Sequence, residues 1–158
     1  MLYCGRIKNI WVERALEYLP DDVYEGINNR VAITVLNSDA CRLAHKISVK
    51  EEIIVLSPWL FSYIPPRSSE ADEEWRYFIF AILHEVAHAV LKHSPPDELK
   101  PQNNNSQEEE ADIRALTWFN DYVSTNIEKG LSPITIDEIR ETQTKYQKRL
   151  EPILNYDY

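Results

Sequence analysis

Ten residues, HEVAHAVLKH at positions 84–93, hold three of the four histidines in a chain of 158 residues, together with a glutamate. Four residues of α-helix turn the direction by roughly 40° and rise about 6 Å. On a helix, His84 and His88 therefore share one face, one turn apart, where their imidazoles can converge on a single ion. Glu85 lies beside them, placed to reach a water on that ion without entering its coordination shell. This is the HExxH arrangement, two neutral imidazole ligands with a carboxylate as general base. The ion expected there is Zn2+, which lowers the pKa of its water towards neutrality and polarises a carbonyl. Glu85 would then take a proton from the water and hand it to a leaving amine.

Two imidazoles leave a third protein ligand to be found, and three residues present themselves. His93 is five residues beyond His88, about 140° away on a continuous helix, and reads as a helix-end histidine favoured by the dipole. A metzincin pattern would need glycine at 91 and histidine at 94, where Leu91 and Ser94 stand. Cys41 carries a thiol, a good zinc ligand once deprotonated. Its surroundings, DACRLA, are not the motif of deformylase-like sites, and a free cysteine on a strand is most often a small buried hydrophobe.

The third residue, Glu108, opens the segment SQEEEADIRA. Glu108 and Asp112 are one turn apart, and their stripe continues through Ala111, Ala115, Phe119 and Tyr122. Small alanines beside a carboxylate would let this helix lie close against the histidine helix. Glu108 would then complete the ligand set, while Asp112 accepts the free ring N–H of a ligand histidine and fixes its tautomer. Glu109 and Glu110 are expected to point elsewhere and to favour the helix N-terminus.

HExxH followed by a second helix carrying ExxxD resembles the gluzincins. Glu108 falls twenty positions after His88, as in the spacing of thermolysin, a His2Glu zinc enzyme. The form of LHEVAHAVLKH and EEEADIRA looks like the small ImmA/IrrE-type metallopeptidases, the minigluzincins, over residues 30–125. That resemblance implies a zincin-like fold, His84, His88 and Glu108 as zinc ligands, Glu85 as base, and a protein or peptide substrate. Ala87 stands where the family commonly has glycine, and Arg114 where it often has phenylalanine. An oxyanion-stabilising residue is also expected, with His45 and Tyr122 as candidates. The alternative is a catalytically silent binding or regulatory protein on the same fold, its metal structural or vestigial.

The elements that must position these residues follow from periodicity. KNIWVERALEYL (8–19) places Ile10, Trp11, Leu16 and Leu19 near one helical face, and Pro20-Asp21-Asp22 ends it. RVAITVLN (30–37), CRLAHKISV (41–49) and KEEIIVLS (50–57) read as two or three strands. Ser69 and Asp72 form an N-cap signature for a helix running unbroken to Ser94, with Trp75, Phe78, Ile79, Ile82, Val86, Ala89 and Val90 inward. PPDELKPQNNNSQ reads as a loop, and Ser106 as the cap of a helix ending at Gly130. A last helix starts at Ser132 or Thr135 and stops before Pro152. Strands first and long helices after make an α+β fold, a small twisted sheet packed on long helices. The expected organisation is one domain, 1–158, with its core at 30–125 and a helical C-terminal extension at 131–158.

Composition narrows the function. Residues 61–112 hold four Lys/Arg against eleven Asp/Glu, so most of the net charge of −9 surrounds the histidines. A negative field suits a cation and disfavours nucleic acid, whose binding rests on clustered Lys/Arg. Three glycines cannot write a GxGxxG or GxxxxGK[ST] loop, which excludes those nucleotide sites. Two cysteines make no disulfide framework, no signal-peptide pattern opens the chain, and the longest apolar run, FIFAIL, is too short to span a bilayer. A cytoplasmic protein is expected.

Overall fold

The computed structural model describes residues 6–35, 41–43, 52–63, 73–94, 101–129 and 131–154. Helices α1 (Arg6–Leu16) and α2 (Asp21–Arg30) precede strands β1 (Val31–Val35), β2 (Cys41–Leu43) and β3 (Glu52–Leu56). Helices α3 (Glu73–Leu91), α4 (Pro101–Thr125) and α5 (Ile136–Leu154) complete the α+β fold.

From Phe78 to Val90 every side chain is apolar except His84, Glu85 and His88. Such a helix is stable only when protein surrounds it, and α3 accordingly forms the centre. Trp75, Phe78, Ile79, Ile82, Leu83 and Val86 are buried among residues of α1, α2, β1, β3 and α4. Burying each of these side chains contributes roughly 1.5–3 kcal/mol before entropy is counted. Trp75 stacks on Phe78 and meets Trp11 of α1 edge-on. The sheet order is β1-β3-β2. β3 is central, parallel to β1 and antiparallel to β2, and all five of its residues are buried. That explains its unalternating EIIVL sequence.

Arg30 ties sheet to helix. Its Nη1 pairs with Oε1 of buried Glu52 at 2.5 Å, and its Nη2 donates to the Ala89 carbonyl at 3.1 Å. At the other end of α3, Oε1 of Glu73 accepts from Thr142 Oγ1 (2.6 Å) and Lys145 Nζ (2.9 Å) of α5. Ile134 and Ile139 enter the same core. Thr135 and Glu138 form a reciprocal capping box at the start of α5.

Several elements differ from expectation. Pro20-Asp21-Asp22 does not merely end the first helix but starts α2, because Asp21 and Asp22 occupy a first turn where carboxylates are favoured. Ile10 is 54% exposed, and Val12 and Ala15 are buried alongside Leu16 and Leu19. α4 begins at Pro101, so the Asn run and Ser106 are helical; proline is well suited to a first helical position. α4 ends at Thr125, followed by a 3-10 turn at Ile127–Lys129. α5 passes through Pro152 to Leu154. The Ser69–Asp72 cap and the strand residues 44–49 lie outside the described residues.

α3 also stops sooner than its pattern implies. Lys92 has φ 56°, the left-handed conformation, and the His93 N–H donates to the His88 carbonyl at 3.1 Å. These are the marks of a Schellman C-cap, in a position where glycine is usual. A side chain with a Cβ is strained there. Lys92→Gly is therefore expected to stabilise the protein by about 0.5–1 kcal/mol, the relief of strain exceeding the added unfolded-state entropy. Urea denaturation read by circular dichroism checks this, and a lower midpoint would contradict it.

Candidate metal centre

α4 carries Ala111 and Ala115 on the face it turns to α3, and both are fully buried. Trp118, Phe119 and Val123 continue that buried face. The first turns of α4 thus lie close against the last turns of α3, and Glu108 and Asp112 arrive beside His84 and His88. His88 Nε2 stands 3.0 Å from His84 Nε2. Glu108 places Oε2 at 3.2 Å from His84 Nε2 and Oε1 at 3.6 Å from His88 Nε2. Among the described residues, these three offer ligand atoms all within 4.8 Å of one another.

The donor set fits zinc. Bonds of about 2.0–2.1 Å in a tetrahedron put neighbouring donors roughly 3.4 Å apart, close to the separations here. Two imidazoles and one carboxylate leave a fourth position free, as catalytic rather than structural zinc sites do. The site is a single Zn2+ centre in its chemistry.

Its electrostatics show the same demand for positive charge. Burial alone would lower the pKa of His84. Hydrogen bonds with Asp112 and Glu108, and the charges of Glu85 and Asp112, more than reverse that and raise it to about 9. Glu108 is held well below the usual carboxylate range by its hydrogen bonds to His84 and His88. Glu85, buried next to His84, is pushed up by burial, against the pull of His84 and His88 and with a further push from Glu108. On the far side of His84, Nδ1 lies 2.9 Å from Asp112 Oδ1.

All five residues singled out in the sequence, His84, Glu85, His88, Glu108 and Asp112, are thus neighbours. Tyr122 is not, since it lies fourteen residues beyond Glu108 on α4, roughly 21 Å along the axis. It stacks on Tyr18 and bonds Lys129 instead. His45 and the side chain of Cys41 lie outside the described residues. His93 is not among the clustered donors, but it does not point away from His88 as a continuous helix would require, because the turn at Lys92 folds the chain back. His93 is 7% exposed, with Nδ1 2.9 Å from Nδ1 of His88. Glu110 also departs from expectation: its Oε2 stands 3.2 Å from His93 Nε2. Helical periodicity could not place His93, since it assumes a helix that Lys92 has already ended, and so it showed no partner for Glu110 of α4. No glycine marks that end.

Residues 78–150 match the sequence profile of the family Peptidase U49. No curated protein and no solved structure matches the chain. The matched stretch contains both motifs and the whole of the ligand cluster. Together with the His84–His88–Glu108 triad, that match supports a zinc-dependent metallopeptidase mechanism of the gluzincin type.

Proposed function

We propose that the protein hydrolyses peptide bonds in a protein or peptide substrate, with His84, His88 and Glu108 holding zinc, Glu85 as general base and Asp112 orienting His84. The observation that carries the reading is the convergence of the two Nε2 atoms and the Glu108 carboxylate from two different helices. When bound, zinc supplies a Lewis acid that acidifies water and polarises a carbonyl. The remaining work falls to side chains. Glu85 accepts the proton of the attacking water and returns it to the departing amine, and its burial raises its proton affinity. Asp112 accepts the Nδ1–H of His84, which leaves the Nε2 lone pair facing Glu108 and His88.

We read the chain as one domain in which α5 is an extension braced on α3 through Glu73, Thr142 and Lys145. No helix among the described residues is long and apolar enough to cross a membrane. The acidic balance around the site disfavours a nucleic-acid partner, and cysteine usage fits the cytoplasm.

Glu85→Gln is expected to keep zinc, measured by metal analysis, while lowering cleavage of a peptide library by about 10²–10⁴-fold. Undiminished cleavage in that variant would sink the mechanism. Asp112→Ala should weaken zinc binding by about 10–100-fold in a chelator competition, and an unaltered affinity would remove Asp112 from its role. Because the ligands come from α3 and α4 together, zinc at a hundredfold excess over Kd should stabilise the fold by about 2.7 kcal/mol. A melting temperature indifferent to zinc would count against a site formed only in the folded chain.

A further inference from the structure

His84 and His88 face the same Glu108 through their Nε2 atoms, yet their Nδ1 atoms are served differently. His84 has a carboxylate, Asp112. His88 has another imidazole, His93, at 2.9 Å with the rings inclined at 70°. Behind His93 stands Glu110, 3.2 Å from its other nitrogen.

Proton positions along this row are fixed by the end that binds metal. A neutral imidazole has one N–H and one lone pair. If His88 turns the lone pair of Nε2 to the ion, its proton sits on Nδ1 and must be donated. His93 Nδ1 is the group within reach, so it accepts and carries no proton itself. The proton of His93 then sits on Nε2, which donates to the Glu110 carboxylate. The row thus runs from the His88 Nδ1–H through both ring nitrogens of His93 to the Glu110 carboxylate.

The backbone makes the arrangement possible. His93 follows the left-handed Lys92, and its own N–H is bonded to the carbonyl of His88. The residue that orients the ring of His88 is therefore also tied to its main chain. A continuous helix would have carried His93 away from His88.

We propose that His93 and Glu110 are positioning residues for the metal centre, holding His88 with its proton on Nδ1 and its Nε2 lone pair towards the ion. This rests on the reading of His88 as a zinc ligand and extends it to two residues outside the ligand set. His93 is not itself a ligand, since it lies on the Nδ1 side of His88, away from His84 and Glu108.

The test is zinc affinity of the full chain by chelator competition, with thermal unfolding of the zinc-free protein measured in parallel. His93→Phe fills the buried space without a nitrogen and should weaken zinc by about 10–100-fold. His93→Gln restores an acceptor and a donor on one side chain and should recover most of that loss. Zinc affinity unchanged in His93→Phe overturns the proposal. So does an equal loss in the Phe and Gln variants accompanied by equal destabilisation, which is the mark of packing alone. Should His93→Phe fail to fold, Glu110→Leu carries the test. Its side chain is 60% exposed, so the fold should tolerate the change, and a loss of about tenfold is expected; wild-type affinity there overturns the proposal. His88→Ala separates the two levels of argument. It must lose zinc, and retention of zinc would instead overturn the ligand assignment on which the inference stands.

Discussion

The distance between α3 and α4 governs this molecule. His84, Glu85 and His88 interrupt the otherwise apolar run from Phe78 to Val90 of α3 at the centre of the fold, and polar groups in such a place cost free energy unless partners meet them. Those partners reside on α4. Ala111 and Ala115, having almost no side chain, allow that helix to come close enough for Glu108 and Asp112 to reach both imidazoles. A large residue at either alanine would push Glu108 and Asp112 out of hydrogen-bond range and strip His84 of both its carboxylate partners. The packing of two small residues is thus what turns a burial penalty into a binding site.

Around that contact the rest of the fold acts as a frame. Arg30 holds the Ala89 carbonyl near the C-terminal end of α3 while pairing with Glu52 at the start of the central strand. Glu73 at the N-terminal end is gripped by Thr142 and Lys145. α3 is therefore fixed at both ends by groups from different elements, and the histidines lie between. A ligand pair of this sort needs its helix fixed to within about 0.5 Å, which neither helix propensity nor burial alone would provide.

Much of the site could be read in the chain because its parts obey helical periodicity. His84 and His88 are one turn apart, and so are Glu108 and Asp112, so spacing alone was enough to place each pair on a face. The alanine stripe was likewise visible and identified which face would approach α3. The unread part begins where periodicity ends. Lys92 adopts a backbone conformation that no glycine announces, and the reversal there brings His93 back to His88, where Glu110 of α4 meets it. In the fold, β3 was recognisable from its apolar run, whereas α2 was hidden because the Pro-Asp-Asp that ends one helix also begins the next. The Asn run before Ser106, loop-like in the sequence, lies inside the longer α4.

The ligand cluster spans only residues 84–112, while the side chains that grip the start of its central helix, Thr142 and Lys145, come about thirty residues later. In synthesis from N- to C-terminus, every group that touches the ion has left the ribosome before the brace on α3 exists. The ligand set of a nascent chain is therefore complete before the brace on α3 can form.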